Sequence, residues 1–132
     1  MTQAIALSAA QAREQFCYLI TTGRVSETAH EVEMWFATHP DGADMTAVYC
    51  LSGGRDRSDW VKNVRANPSL RIRIGTTTYA AQGAVIEGEA DEPRAREALA
   101  AKYHGWRGGE LPNQWAKESL PVAFRLGEIV EG

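Results

Sequence analysis

The chain has 132 residues, of which 44% are hydrophobic and 23% are charged, and its formal net charge is -3. Its length suits one hydrophobic core, so the sequence predicts a single domain over residues 1–132. The acidic balance argues against a nucleic-acid binder, which needs excess positive charge. No run approaches the roughly 20 apolar residues of a membrane span. With no pattern of a secretory signal at the N-terminus, we expect a cytoplasmic protein without an integral membrane segment.

The first predicted elements are a short helix and a strand. Ser8 is suited to cap a helix over Ala9–Gln15, because its hydroxyl can accept a hydrogen bond from a free N–H at the helix start. Phe16–Thr22 has the aromatic and β-branched residues that strands favour, and Gly23 ends the run. The chain is therefore expected to turn at Gly23.

A second predicted strand alternates apolar and polar residues. Val32, Met34 and Phe36 recur at every second position, so one face of this strand is expected on a core. His39–Asp44 contains Asp-Gly, a strong hairpin-turn signal. We therefore expect Met45–Leu51 to return as the other strand of a hairpin.

Two adjacent glycines, Gly53 and Gly54, follow that strand. Paired glycines allow positive φ angles, and the helix start that follows adds free N–H groups, so the turn is a candidate anion site. Arg55 and Arg57 stand beside it, and a guanidinium matches the geometry of phosphate or carboxylate. Turns of this composition are also often simply solvated, so spacing alone leaves both interpretations open.

The next predicted element is a short amphipathic helix. Either Ser58 or Asp56 is suited to cap it, and Asn67-Pro68 ends it. Its predicted apolar face consists of Trp60, Val61 and Val64.

A second predicted hairpin joins alternating strands over Leu70–Ile74 and Thr78–Gly88 through a turn at Gly75–Thr77. A helix is then expected from Asp91, with Pro93 in its first turn, where proline is tolerated. Ala95, Ala98, Leu99 and Lys102 follow at helical spacing.

The last third of the chain ends the helix near Tyr103–Gly105, continues as a predicted loop over Trp106–Lys117, and closes with a strand over Leu120–Val130. Five or six mostly antiparallel strands with short helices predict a mainly β (α+β) fold. Closure into a small barrel would remove exposed strand edges.

Few residues are spaced for metal binding or nucleophilic catalysis. Cys17 and Cys50 are far apart in apolar segments, which favours two reduced, buried thiols. His30, His39 and His104 are not at ligand spacing, so we expect no metal site. No GxSxG elbow or phosphate-binding Walker loop is present.

Several motifs together resemble the deazaflavin-dependent nitroreductase and quinone reductase family. In chain order they are TTGR at Thr21–Arg24, HEVEMWF at His30–Phe36, LSGG at Leu51–Gly54, Trp60 with Asn63, Ala66-Asn67-Pro68, and weakly Lys102-Tyr103. The resemblance implies a split β-barrel of about six strands, similar to the pyridoxamine-oxidase-like proteins. It also implies binding of coenzyme F420, a deazaflavin with a phosphate and an acidic oligoglutamate tail. The implied reaction is hydride transfer to a planar, activated small-molecule acceptor such as a quinone, nitroaromatic or enone.

The resemblance also implies positions for the coenzyme and the acceptor. Arg24 and the following strand would lie along the coenzyme, and Leu51 would lead into the loop that meets the phosphate and tail. Tyr103 and Trp106 would approach the acceptor and are the implied catalytic residues. The implied cofactor-binding residues are Arg24, His30, Val32, Glu33, Met34, Trp35, Leu51, Ser52, Gly53, Gly54, Arg55, Arg57, Trp60 and Asn63, of which Trp60 and Asn63 would pack under the loop.

From their spacing alone, several of these residues have structural interpretations as well. Trp60 and Asn63 fit core positions of a helix, and Trp35 fits either a pocket wall or a packed surface. Tyr103 and Trp106 fit either a mobile lid or a helix end packed on the barrel.

Three positions depart from the family pattern. Val25, Glu27 and His30 stand where better-known members carry a basic residue, a glycine and another basic residue. Two fixed positive charges are therefore missing, and His30 replaces one of them only in part. Arg55 and Arg57 are then expected to supply much of the attraction for the tail.

Two alternatives remain from the sequence. The first is a split-barrel oxidoreductase that binds the less acidic coenzyme FMN. The second is a non-catalytic barrel that binds a hydrophobic ligand, which the missing charges and the tryptophans favour. A homodimer through the sheets is left open.

Overall fold

The structure is a computed structural model that describes residues 7–38 and 47–131 and is built on one antiparallel sheet of six strands. The strands are β1 (Cys17–Thr22), β2 (Ala29–Met34), β3 (Ala47–Ser52), β4 (Ser69–Ile74), β5 (Thr77–Val85) and β6 (Leu120–Glu131). The described helices are α1 (Ala9–Ala12), α2 (Asp59–Ala66), α3 (Glu92–His104) and α4 (Gln114–Glu118), with a 3-10 turn at Arg55–Arg57.

The sheet curls into a split barrel. Its strand order is β2-β1-β4-β5-β6-β3, so β2 and β3 are the two edges. The edges meet at one point, where the Ala37 N–H donates to the Tyr49 carbonyl at 3.0 Å and the Tyr49 N–H donates to Ala37 at 2.8 Å. The predicted mainly β split barrel is therefore confirmed.

The hairpin predicted between the second and third strands is wrong. β2 pairs instead with β1, from Cys17 opposite Met34 to Thr22 opposite Ala29. Alternation shows which face of a strand is buried but not which strand lies beside it. The predicted turn at His39–Asp44 lies outside the described residues. The second hairpin, β4 with β5, is confirmed.

Strand β3 is buried on both faces. Val48 and Cys50 point into the barrel core, whereas Tyr49 and Leu51 pack against α3 on the outside. Cys17 also lies in the barrel core, and both cysteines are free and fully buried. Burial, followed by a hydrogen bond with Cys17, raises the pKa of the Cys50 thiol well above its ordinary value.

The helices differ from the prediction at two places. α1 ends at Ala12, three residues before the predicted end at Gln15, although Ser8 caps it as predicted. The predicted loop over Trp106–Lys117 is wrong in its second half, because α4 begins there with the Asn113 side chain accepting from the Ala116 N–H at 2.9 Å. None of the helices that the structure describes is long and apolar enough to cross a membrane.

The end of α3 fixes the segment that follows β2. Lys102 Nζ donates to the carbonyl oxygens of Glu14 and Phe36 at 2.7 and 2.9 Å. Tyr103 Oη accepts from the Phe36 N–H at 3.1 Å and lies 2.6 Å from the Gln15 carbonyl oxygen. Two consecutive side chains of α3 thus hold the point at which the barrel closes.

Candidate functional site

An open cleft lies between the β1–β2 loop and the first turn of α2. Its volume is about 620 Å³. Its lining residues are Thr21, Gly23, Arg24, Val25, Ser26, His30, Glu31, Val32, Ser58, Asp59, Trp60 and Asn63. We call this the Arg24 cleft. Of the residues predicted to bind a cofactor, it brings together Arg24, His30, Val32, Trp60 and Asn63.

Asn63 joins the two sides of the Arg24 cleft. Its Oδ1 accepts from the Arg24 backbone N–H at 3.2 Å and from Arg24 Nη1 at 2.9 Å, and its Nδ2 donates to Thr21 Oγ1 at 3.3 Å. Only 4% of Asn63 is exposed. The prediction that Asn63 packs under the Gly53-Gly54 loop is therefore wrong: its side chain orders the Arg24 segment instead.

Trp60 is both a core residue and a wall of the Arg24 cleft. Its ring lies 6.2 Å from the ring of Phe124 on β6, and it is 8% exposed. The choice between core and cofactor contact that the sequence left open is therefore not exclusive. The ring packs the start of α2 against the barrel, and Trp60 also lines the cleft.

The β1–β2 loop folds back tightly at Gly23. The Gly23 N–H donates to the Thr28 carbonyl at 2.8 Å, and the Glu27 N–H donates to the Gly23 carbonyl at 2.9 Å. A Cβ on Gly23 would lie 2.4 Å from Ser26 Oγ and 2.6 Å from His30 Nε2, so a larger residue here would displace these two side chains from each other. Glu27, where the family resemblance expects glycine, has a φ of 60°.

The rim of the cleft carries three neighbouring polar side chains. Ser26 Oγ lies 3.0 Å from His30 Nε2 and 2.9 Å from Thr28 Oγ1. These groups are exposed and offer hydroxyl and imidazole hydrogen bonds to a ligand.

The charges at the Arg24 cleft are mixed. Arg24 Nη2 lies 3.3 Å from Asp59 Oδ1. Glu31, also on the cleft, pairs with Arg73 at 2.7 Å. Asp59 was not predicted as a site residue, because its distance from Arg24 in sequence hides their contact.

The Gly53-Gly54 turn differs from the prediction in its backbone. Gly54 has a φ of -80°, whereas Arg55 takes the positive φ of 53°. A Cβ on Gly54 would lie 2.7 Å from Ser58 Oγ, so a larger residue there would displace the Ser58 hydroxyl. Ser52 Oγ donates to the Arg55 carbonyl at 3.0 Å and therefore accepts from Ser58 Oγ at 2.8 Å. These bonds connect the turn to the start of α2.

The side chain of Arg55 points to a second cleft. Its guanidinium donates to the carbonyl oxygen of Glu118 and pairs with the Glu87 carboxylate. This second cleft has a volume of about 810 Å³, and we call it the Arg55 cleft. It is lined by Gly53, Arg55, Glu87, Glu92, Arg96, Gln114, Trp115, Lys117, Glu118 and Ser119. Arg55 is thus held by its own chain, and Arg57 is exposed outside both clefts.

Arg96 is the most buried charge of the Arg55 cleft. Its side chain is 9% exposed and lies 2.7 Å from the Glu92 carboxylate. Arg96 Nη1 also donates to the Ala116 carbonyl at 2.8 Å. The Gly88 N–H and then Arg96 lower the pKa of Glu92 by hydrogen bonding to its carboxylate. Arg96 therefore ties α4 to α3.

An aromatic cluster lies on the outside of the barrel. Trp35 stacks on Tyr103 with ring centres 4.4 Å apart and planes 2° from parallel. Trp115 meets Trp35 edge-on, with ring centres 5.5 Å apart. Trp115 also lies beside Gly53, since a Cβ on Gly53 would be 3.6 Å from Trp115 Cδ1. Trp35 is therefore a packed residue that lines neither cleft as the structure describes them.

The two residues predicted to be catalytic also lie apart from the described lining of both clefts. Burial raises the pKa of Tyr103, and its hydroxyl is engaged by the backbone of Phe36 and Gln15. Trp106 Nε1 donates to the Gly109 carbonyl at 3.2 Å. The structure does not bring either side chain to Arg24.

The other residues predicted to bind the cofactor lie on β2 and at the end of β3, outside the described lining of both clefts. Glu33 is on the outer face of β2 and accepts from Tyr18 Oη at 3.0 Å, whereas Met34 packs against the core. Leu51 and Ser52 are buried at the end of β3. Residues 7–38 and 47–131 contain no group of three or more His, Cys, Asp or Glu side chains able to hold a metal ion.

The fold is shared with several solved structures. A candidate 5-nitroimidazole antibiotic resistance protein from Bacteroides thetaiotaomicron has a TM-score of 0.70 at 10% identity, over 98% of this chain and 86% of that one. A conserved hypothetical protein from Mycobacterium tuberculosis has a TM-score of 0.67 at 16% identity, over 97% and 89%. A protein named F420 reductase has a TM-score of 0.59 at 18% identity, over 92% and 94%.

The sequence itself identifies the family. No curated protein sequence matches the chain. The family model described as F420H(2)-dependent quinone reductase matches residues 7–122, which include both clefts and every motif of the resemblance. The chain therefore belongs to the F420H(2)-dependent quinone reductase family and is a reductase that uses the deazaflavin coenzyme F420.

Proposed function

We propose that the protein reduces a quinone with F420H2 held at the Arg24 cleft. The observation that carries this proposal is the hydrogen bonding of Asn63 to Arg24 and Thr21, which ties three residues of the family motifs into one site. The same contacts order a cation beside an apolar wall. A planar ring with an attached phosphate needs both.

The residues of the cleft fit such a ligand. A volume of about 620 Å³ is within the range of small-molecule and cofactor sites. Val32 and Trp60 offer apolar surface for a ring, and Arg24 offers N–H donors for a phosphate. The N-cap residue Ser58 makes no side-chain hydrogen bond to the first turn of α2, so N–H groups there remain for an anion.

The coenzyme would supply the hydride, and the chain would bind, orient and shield it. Trp60 and Val32 would exclude water from one side of the ring. Arg24, held by Asn63, would set the position of the phosphate. Ser26 Oγ and His30 Nε2, 3.0 Å apart, are placed to share an exchangeable proton at the rim, where a reduced acceptor needs one.

The name of the family supports a quinone as the acceptor. Nitroaromatic compounds are the second candidate, because the neighbour from Bacteroides is described by 5-nitroimidazole resistance. Enones are the third class of acceptor to be compared in the turnover assay. The family match favours F420 over FMN. Coenzyme binding without turnover of any acceptor would favour the non-catalytic barrel.

Tyr103 and Trp106 would act on the acceptor side through their rings. The Tyr103 hydroxyl serves the backbone, so we propose that Tyr103 positions Trp35 by stacking and does not transfer a proton. Trp106 would contribute apolar surface.

The test compares wild type with Asn63→Leu and with Asn67→Ser, a control whose side chain accepts only from the nearby Ser69 N–H among the described contacts. Fluorescence titration with F420 and with FMN gives Kd, and loss of F420H2 absorbance gives turnover with a naphthoquinone, a nitroimidazole and a cyclohexenone. We expect F420 binding, fastest turnover with the quinone, and a Kd raised about tenfold or more by Asn63→Leu alone. Absence of F420 binding at tens of micromolar, or tighter binding of FMN, would contradict the proposal.

A further inference from the structure

We propose that Asp59 selects against highly acidic ligands at the Arg24 cleft, so that the site prefers deazaflavin coenzymes with a short or absent acidic tail. This inference rests on the proposed function, because the ligand is the same coenzyme. Its basis is that the cation of the cleft already has a carboxylate partner. Asp59 stands where the anionic part of a ligand would approach Arg24.

The guanidinium of Arg24 is engaged at both terminal nitrogens. Nη1 donates to Asn63 Oδ1 at 2.9 Å, and Nη2 lies 3.3 Å from Asp59 Oδ1. Two-pronged recognition of a phosphate needs a pair of free N–H groups. The Asn63 bond is part of the buried framework, so an incoming anion competes with Asp59 for the remaining N–H groups of Arg24.

The Arg24–Asp59 pair can be displaced. The side chain of Arg24 is 35% exposed and that of Asp59 is 84% exposed, and ion pairs this exposed stabilise a protein little. Asp59 is the first residue of α2, so its backbone stays at the cleft after the pair opens. The released carboxylate then repels each further negative charge nearby, and the repulsion grows with the charge of the ligand.

The other charges of the cleft do not offset this repulsion. The lining contains one arginine and two carboxylates, Glu31 and Asp59. Glu31 is occupied by Arg73 at 2.7 Å, whereas Arg55 faces the other cleft. The phosphate of a coenzyme would be attracted by Arg24, whereas an oligoglutamate tail would be repelled by the carboxylate of Asp59 beside it.

The experiment uses the full chain with Asp59→Asn and with Asp56→Asn as the matched control. Asp56 is an exposed carboxylate three positions away that pairs with Arg65 at 2.8 Å and does not line the cleft as described. Fluorescence titration measures Kd for three probes: F420 with several glutamates, F420 with one glutamate, and the deazaflavin riboside that lacks phosphate and tail. Each titration is made at low and at high salt.

We expect Asp59→Asn to tighten binding of the multiply acidic form about five- to tenfold at low salt, to tighten the one-glutamate form less, and to leave the riboside within about twofold. High salt should reduce the gain, and Asp56→Asn should match wild type for all three probes. An equal gain for the riboside, or no gain for any form, would overturn the proposal.

Inorganic pyrophosphate separates this inference from the proposed function. If no deazaflavin binds any variant, the proposed coenzyme site fails, but the selection by charge is still measured from the rise in Tm that pyrophosphate produces. A larger rise for Asp59→Asn than for wild type and Asp56→Asn supports the role of Asp59. Equal rises in all three proteins overturn it.

Discussion

The Arg24 cleft and the Arg55 cleft both place an arginine beside a glycine-containing turn, but their arginines have different partners. Arg24 is bound on one side by Asn63 and on the other by the exposed Asp59. Arg55 is bound by Glu87 and by the last carbonyl of α4. One cation has a partner that a ligand can replace, whereas the other joins distant parts of its own chain.

The two arginines differ in how easily a ligand could displace their partners: Arg24 pairs with an 84% exposed carboxylate, whereas Arg55 is also bound to a main-chain carbonyl. The Arg55 cleft is the larger of the two, yet its arginines hold α4 against α3 and against the turn that carries Arg55. The Arg24 cleft has more apolar lining residues, and the carboxylate that pairs with its cation is 84% exposed. Volume alone would favour the Arg55 cleft, whereas the apolar lining favours the Arg24 cleft that we propose for the coenzyme.

The strongest test of this comparison is Arg96→Met. Removing the guanidinium leaves the half-buried Glu92 carboxylate without its ion pair and the Ala116 carbonyl without a donor. We expect the free energy of unfolding to fall by about 2 to 4 kcal/mol in urea denaturation, with the Kd for F420 within about twofold.

Arg94→Met is the matched control, because Arg94 pairs with Asp91 at 3.5 Å on the surface of the same helix. Its loss should cost below about 0.5 kcal/mol. If Arg96→Met reduced the free energy of F420 binding by more than it reduced the free energy of unfolding, the Arg55 cleft would be a ligand site.

The next test exchanges the two arginines for glutamine, one at a time. Arg24→Gln should raise the Kd for F420 about tenfold and change stability by less than about 1 kcal/mol. Arg55→Gln should lower stability by about 1 kcal/mol, because the contacts of the guanidinium are lost. Glutamine bears a similar backbone cost at the positive φ of this position, so the change reports the side chain. The Kd for F420 should stay within about twofold. A matching rise in Kd for Arg55→Gln would restore the role predicted from the sequence.

The strands could be predicted because local pattern reports burial. Alternation placed β2, β4 and β6, and the continuous apolar run of β3 reflects its two buried faces. Pairing was not predictable in the same way, since β2 and β3 are consecutive in the chain but are opposite edges of the barrel. Helix α4 had a local signal, the N-cap Asn113, but its five residues gave no clear period.

Part of the candidate site could be predicted from the sequence, because the family motifs indicate both the type of residue and its place in the fold. Arg24, Trp60 and Asn63 came from the family motifs, and the structure brings them to one cleft. The role of Arg55 was not predictable, because Glu87 and Glu118 lie 32 and 63 positions away in the chain. Asp59 was missed for the same reason: its partner Arg24 is 35 positions away.

Tyr103→Phe extends the comparison to a neutral group held by its own chain. The Phe36 N–H loses its acceptor, so we expect stability to fall by about 1 to 2 kcal/mol. The ring keeps its stack on Trp35, and kcat/KM with a quinone should stay within about twofold. A tenfold fall in kcat at unchanged stability would instead make the hydroxyl a proton donor in the reaction.

Lys102→Met examines a third cation, whose described hydrogen-bond partners are neutral carbonyls. Burial lowers the pKa of Lys102 from its ordinary 10.5 to about 8. Between these values the unfolded chain binds more protons than the folded protein, so this lysine makes stability rise as pH increases from 8 to 10.5.

The free energy of unfolding, measured for both proteins across that range, should show wild type gaining about 1 kcal/mol over Lys102→Met, a value discounted because the amine is half exposed. Cys50, whose raised pKa acts in the opposite direction, is present in both proteins, so its contribution is common to the two curves apart from the coulombic effect by which Lys102 lowers that pKa. A flat difference between pH 8 and 10.5 would mean that the ammonium is as well solvated as in the unfolded chain. Lys102 would then belong with Arg24, as a cation that its own fold leaves available.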